Sequence, residues 1–536
     1  MNLIHDAWLP VIRDSGKKDK IAPWQITEEE DPVIEMNAPR PDFQGALYQF
    51  LIGLLQTCFA PADHDEWLDY WESPPDYKVL QGAFLLMAPA FELQNKSGPS
   101  FMQDSHLSNL KRKEISELLI EAPGEKTIRD NQDHFIKRGR ITHLCQSCAA
   151  AALFTLQINA PSGGVGHRVG LRGGGPLTTL VMPTEEITLW HKLWLNVLAI
   201  ENLVDVVHKP TADVFPWMGQ VRASDKSGVD TRPEDTHPLQ VYWGMPRRIR
   251  LLSSDDIHGT CDLCGAQEVV TIKEYSTQNY GVNYVGEWTH PLTPYRFDPK
   301  KENPPLSIKG QKGGLGYRHW TSLVLAHSKD ADCAARVALV YMSERARNIG
   351  SQKIARLWCF GYDMDNMKAR CWYDHTLPIF HLDEDQRENV LSWASDLINA
   401  ARDVSIILRQ QVKSAWFRRP VDIKGDMNTV VLEFWQRSES DFYLLLSRLT
   451  NLPGDQRIAP PEIYAAWVKR LQALAYNLFD EWVLEGPAED IDMQRVVASR
   501  RELVRKLNSS KQMKDLIMKA NMGEGEKNAT KAVSIP

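Results

Sequence analysis

Two pairs of cysteines carry the clearest chemistry in this 536-residue chain. Cys145-Gln-Ser-Cys148 and Cys261-Asp-Leu-Cys264 are both CxxC turns, and Gly265 follows the second. Such a turn aims two thiolates at one ion, and two turns that meet in space complete a four-thiolate site. Zinc (Zn2+) is the expected ion. Its role would be structural, because four protein ligands leave no coordination position for a reactive water. The two pairs stand far apart in sequence, so the ion would clamp distant segments together. A thioredoxin-type redox pair would need a strand–CxxC–helix context that is not visible. A zinc-dependent nuclease of the HNH kind stays open as an alternative, with His143 and His258 near the knuckles. The Asp-His…Asn…His run on a short ββα unit is missing, however. Cys58, Cys333, Cys359 and Cys371 read as buried thiols.

Glycine is the second signal. "SGGVG" at 162–166 and "LRGGG" ending at Gly175 match neither GxGxxG nor GxxxxGK[ST]. The second run precedes Pro176 and a strand-like "LTTLVMP", whereas a phosphate cradle needs a helix start there. Two readings remain. Both runs are ordinary turns, or a side-chain-free loop enters a narrow nucleic-acid groove. The DNA minor groove is about 6 Å wide and admits backbone more easily than bulky side chains. His167, Arg168 and Arg172 flank the loop, and the arginines would then hold phosphates.

The elements that must position these residues fall into two styles. Residues 44–60 read as a buried helix, with Leu47, Phe50, Leu51, Leu54 and Leu55 at helical spacing. Strand-like pieces lie around 238–252 and 268–285, and Pro and Gly recur between them. After about residue 380 the pattern becomes amphipathic, in four long segments at 383–417, 427–450, 460–484 and 489–520. The expected fold is α+β: an irregular mixed α/β domain over 1–378, then a C-terminal four-helix bundle over 379–520. Residues 521–536 lack periodicity and are expected to be a disordered tail.

Composition is that of a globular protein, with 43% hydrophobic and 24% charged residues and a formal net charge of −7. No global basic field advertises nucleic acid, so any such contact must be local. No signal-like start and no long apolar run point to a membrane, and a soluble cytoplasmic protein is expected.

In order along the chain, "MNLIHDAWLPV", "GPSFMQD", the first knuckle, "GGVGHRVGLRGGGPLTTL", the second knuckle, "GEWTHPLTP" and "RNIGSQKIARLWCFGY" resemble the CasA family. CasA is the large subunit of the type I-E CRISPR Cascade surveillance complex. The resemblance spans essentially the whole chain. It implies a non-catalytic subunit in antiviral defence, in a prokaryotic cytoplasm. Such a subunit reads the protospacer-adjacent motif (PAM) of duplex target DNA from the minor groove and promotes strand separation and R-loop formation. It then recruits a helicase-nuclease. The implied partners are guide RNA, target DNA, other Cascade subunits including the small helical ones, and that helicase-nuclease.

The resemblance also implies residue roles. Cys145, Cys148, Cys261 and Cys264 would be the zinc ligands. Ser162, Gly163, Gly164, Val165 and Gly166 would form the PAM-reading loop, with Val165 where the family has glycine. Counting from Cys264 places the family's lysine finger at Asn279, with Lys273 as the nearby substitute. Counting from Gly361-Tyr362 places the strand-splitting wedge at Asn366, where the family has glutamine. Phe135, Lys137, Arg138 and Arg140 would contact the guide RNA handle, by stacking on a base and by holding phosphates. A purely structural scaffold, with zinc and glycine serving only the fold, is the remaining alternative.

Overall fold

The computed structural model describes all residues except 108–110, 132–138, 165, 186, 203–205, 225–228, 253–257, 311, 326–331, 350–354, 366–367, 423–426, 486–490 and 533–536. The chain divides into two units. One comprises Met1–Gln311 with His327–Ile379, the other Lys312–Ala326 with Phe380–Pro536. The second unit therefore includes Lys312–Ala326, a segment that sequence reading left in the first domain. Tyr317 explains the difference. It is 1% exposed, stacks on Phe442 with ring centroids 4.4 Å apart, and pairs its hydroxyl with Ser438 at 2.8 Å. A buried ring with a satisfied hydroxyl is a strong anchor.

The first unit is organised around helix α1 (Pro41–Cys58). Leu47, Phe50, Leu51, Leu54 and Leu55 are all buried. The Phe50 ring meets Trp8, Phe91, Phe154 and Trp243 edge-on, at centroid distances of 5.3, 5.8, 5.6 and 6.0 Å. That geometry places positive ring edges against negative faces. Helix α2 (Gln146–Asn159) packs against α1, with Ala149–Ala152 buried. Small side chains there let the two backbones come close.

The strands form small sheets of two or three, with no central sheet among the described residues. Three of these sheets bear on the site. In the first, β1 (Leu144–Cys145) and β4 (His258–Gly259) flank β5 (Val269–Ile272), all antiparallel. In the second, β6 (Glu274–Gln278) lies between β3 (Arg248–Leu252) and the strand Lys111–Glu114. In the third, the long hairpin β7 (Ala355–Asp365) and β8 (Lys368–Ile379) pairs with β2 (Thr178–Pro183) through β7. Residues 238–252 are only partly extended. Pro238–Tyr242 is a 3-10 turn, because the fixed φ and missing N–H of Pro238 suit a helix start.

Among its described residues the second unit contains five α-helices where sequence reading expected four. They are α3 (Glu384–Trp416), α4 (Asn428–Thr450), α5 (Pro461–Leu484), α6 (Met493–Ser509) and α7 (Lys511–Ala532). α3 opens with a capping box between Asp383 and Gln386. Its buried residues recur at helical spacing, including Val390, Trp393, Leu397, Val404, Leu408 and Val412, and the Trp467 indole donates to Leu397 O at 2.9 Å. The segment expected to be one helix over 489–520 breaks at Ser510, which is extended (φ −64°, ψ 147°). α7 then continues to Ala532, past the point where the tail was expected to lose structure. Met513 and Leu516 are buried near its start, and helix propagation is cheap once a first turn is held. Among the described residues, no helix is long and apolar enough to cross a membrane.

Candidate metal centre and nucleic-acid interface

The four cysteines of the two CxxC turns meet. One sulfur from each of Cys145, Cys148, Cys261 and Cys264 lies within 4.8 Å of the others, and the first three residues are buried while Cys264 is exposed. Among the described residues this is the one group of three or more His, Cys, Asp or Glu that could hold a metal ion.

Local structure explains the meeting. Cys145 ends β1 and is the N-cap of α2, so its sulfur accepts from Cys148 N at 3.4 Å. Thr271 of β5 pairs with Cys145, which brings the second knuckle alongside. Cys261 N and Gly265 N close the knuckle onto Ala266 O and Cys261 O, both at 2.9 Å. Gly265 has φ +72°, a conformation that glycine adopts without strain. Asp262, between the second pair of cysteines, accepts from Thr142 N at 2.6 Å and His143 N at 2.9 Å. Those bonds tie the second knuckle to the chain just before the first.

The donor set fits a tetrahedral metal. Metal–sulfur bonds of about 2.3 Å imply sulfur–sulfur edges of about 3.8 Å, and Cys145 Sγ lies 3.7 Å from Cys264 Sγ. The thiols also perturb each other. Hydrogen bonds from Cys145, then Cys148, hold Cys264 down to about 6 and push Cys261 toward thiolate, while hydrogen bonding to Cys145 raises Cys148. Four sulfurs this close cannot all ionise without a cation among them.

Two elements lead from this cluster to the first glycine run. α2 carries the chain from Cys145 to Pro161, a helix of 14 residues, or about 21 Å. β5 and β6 carry it from Cys264 to Asn279. The two paths converge. Tyr280 N donates to Gly166 O at 2.7 Å. A Cβ on Gly166 would sit 2.9 Å from both Asn279 Cβ and Tyr280 N, and its φ is +74°. Ser162 and Gly164 are exposed, and Gly164 has φ +64° with no described residue beyond its chain neighbours within 4 Å of an added Cβ. Val165 lies outside the described residues.

The structure thus brings the glycine loop and Asn279 together and leaves Lys273 elsewhere. Lys273 is exposed at the opposite end of β6, about 20 Å along an extended chain. Asn366, the wedge candidate, and Phe135, Lys137 and Arg138, the handle contacts, lie outside the described residues; Arg140 is exposed. Hairpin β7–β8, which flanks position 366, is held by Arg370, whose Nη2 and Nε pair with Asp363 at 2.6 and 3.1 Å.

Of the two flanking arginines, Arg172 is not free for phosphate as the sequence suggested, whereas Arg168 engages only its Nε among the described residues. Arg172 is buried and bonded to Gln49 (2.7 Å), Thr293 (3.0 Å) and Thr178 (3.1 Å). Burial without a carboxylate pulls it down to about 10. Arg168 donates to Ser224 at 2.6 Å. Cys371 is half-buried rather than buried. The second glycine run is filled by the protein itself. A Cβ on Gly174 would meet Pro161 Cα at 2.9 Å, and one on Gly175 would meet Met364 Cγ of the hairpin at 2.7 Å.

Sequence reading passed over Arg247, which stands against Gly163. The basic run "PRRIR" was the available signal, but it was absorbed into an expected strand.

The chain matches the family CRISPR-associated protein Cse1 (CRISPR_cse1) over residues 2–478. Its fold is similar to that of Thermus thermophilus CasA (TM-score 0.68, 16% identity, covering 95% of this chain and 100% of that one). It is equally similar to Thermobifida fusca Cse1 (TM-score 0.68, 16% identity, 97% and 98% covered). A chain of a CRISPR RNA-guided surveillance complex gives a TM-score of 0.66 at 15% identity, with 95% and 99% covered. The family match runs through both cysteine knuckles, both glycine runs and most of the helical unit, and this chain belongs to the Cse1 family of CRISPR-associated proteins.

Proposed function

We propose that this chain is the non-catalytic large subunit of a type I-E Cascade complex and reads the PAM of duplex DNA from the minor groove. The observation that carries this is the junction of Gly166 with Asn279 and Tyr280. It joins a loop exposed at Ser162 and Gly164 to a residue with an amide that can reach a base edge. A minor-groove reader separates A·T from G·C better than A·T from T·A, so a relaxed motif is expected.

Reading the motif would nucleate guide–target pairing, and pairing would then supply sequence specificity. Opening costs about 1.4 kcal/mol per stacked step, so a wedge at Asn366 need only offset the first few steps. Phe135, Lys137 and Arg138 would hold the guide handle. The helical unit would act as a bundle that contacts the small helical subunits, and the assembled complex would recruit the helicase-nuclease.

Zinc at Cys145, Cys148, Cys261 and Cys264 would fix the far ends of α2 and β5. The site would hold the loop's base and take no part in chemistry, because four thiolates leave no position for a catalytic water.

The test is target binding by the reconstituted complex carrying Gly164→Asp. The expected result is loss of discrimination between correct and incorrect motifs with the fold retained. Unchanged discrimination would refute the groove reading.

A further inference from the structure

Arg247 sits where the two elements of the proposed reader join. Its backbone is pinned from both sides by Gln157, with Arg247 N to Gln157 Oε1 and Gln157 Nε2 to Arg247 O both at 3.0 Å. Gly281, just beyond Asn279, lies so close that a Cβ there would collide with Pro246 O and fall 3.4 Å from Arg247 Cα. On the other side, a Cβ on Gly163 would lie 3.2 Å from Arg247 Nη2 and 3.3 Å from Nη1. Glycine at 163 and 281 therefore clears the space that lets one guanidinium stand between loop and finger.

This cation lacks a counter-charge among the described residues. The guanidinium donates to Pro161 O, at the foot of the loop, and its Nε is buried with no partner among those residues. No described carboxylate acts on it, and burial draws it down to about 10. Capping one carbonyl does not require a charge, and a buried cation without a partner is costly. Lys309 repeats the pattern beside the second glycine run. Its Nζ would lie 3.3 Å from a Cβ on Gly173, and burial depresses it with no acidic partner among the described residues. Arg247 as a whole is half-buried, and Nη1, which has no hydrogen-bond partner among the described residues, is not one of its buried unpartnered atoms.

We infer that Arg247 is a further nucleic-acid-contacting residue, whose guanidinium binds one phosphodiester of the duplex whose groove the loop at 162–166 enters. It rests on the reading given under Proposed function. A planar fork suits two phosphate oxygens, and a contact of this kind adds affinity and register without sequence preference.

The experiment uses the assembled complex and duplexes in which single phosphates beside the motif are replaced by neutral methylphosphonates. One position is expected to weaken binding several-fold in the unaltered complex and to have no effect with Arg247→Gln. The same variant should lower the slope of log K against log[salt] by about 0.9, the share of one phosphate. Motif preference should not change. If Arg247→Gln does not fold, Arg247→Lys replaces it, and the penalty at that one position should shrink because the fork is lost. A penalty at every position that is independent of residue 247 overturns the inference and leaves the groove reading intact. If no phosphate matters even in the unaltered complex, the inference falls as well, and the groove reading is judged separately by the motif discrimination of Gly164→Asp.

Discussion

Two glycine runs lie side by side in this chain and are used in opposite ways. Around Gly174 and Gly175 the missing side chains make room for the protein's own backbone and for Met364 of the hairpin. Around Gly164 no described residue outside its chain neighbours fills the room, and the residue is exposed at φ +64°. Sequence shows only that side chains are absent. Whether the space is already taken or left open is decided by what the fold brings to it.

The comparison can be broken at several levels. Both runs depend on α2, so removing the cysteine cluster should damage both. Cys148→Ser is expected to abolish stoichiometric metal binding, read by elemental analysis, and to lower stability by about 4 kcal/mol or more in denaturant unfolding. Gly175→Val should come next. Its φ of +59° and the contact with Met364 add backbone strain to overpacking, about 3 kcal/mol together. Motif preference in the folded fraction should stay as it was.

Gly164→Asp should give the reverse result. Asp tolerates left-handed backbone, so thermal unfolding should shift by no more than about 1 kcal/mol, while discrimination between motifs falls at least tenfold, or about 1.4 kcal/mol. If Gly164→Asp unfolds the protein and Gly175→Val spares it, the assignment of the two runs is inverted. Asn279→Ala should relax motif choice by about 1 kcal/mol, the low end for a base contact. Lys273→Ala, at the far end of β6, should change neither motif choice nor stability, and a change as large as that of Asn279→Ala would restore it as the finger.

Legibility followed the range of the physical cause. Paired cysteines and the apolar rhythm of α1 are local properties, so the cysteine cluster and the helix could both be read directly. The break at Ser510 was marked only by its serine, whose hydroxyl caps the next helix by accepting from Met513 N at 3.3 Å, a weaker signal than Gly or Pro. The transfer of Lys312–Ala326 could not be read, because it depends on Tyr317 stacking against Phe442, far away in sequence. Pro238 should have excluded a strand at its position, and "PRRIR" was read for periodicity at the cost of its charge. Counting from Cys264 reached Asn279. What places Asn279 at the loop is a close approach between Gly166 and Tyr280, which no pattern encodes.

Contacts around the first run also sort its positions for redesign. Gly163 must clear Arg247, and Gly166 must clear Asn279 and Tyr280. Gly163 N to His167 O and Gly170 N to Ala160 O close the segment onto its own base. Among the described residues, no such contact involves Ser162 or Gly164. A library varied at those two sites would alter the recognition tip and spare the scaffold, whereas variation at 166 would strain the fold and variation at 163 would displace Arg247.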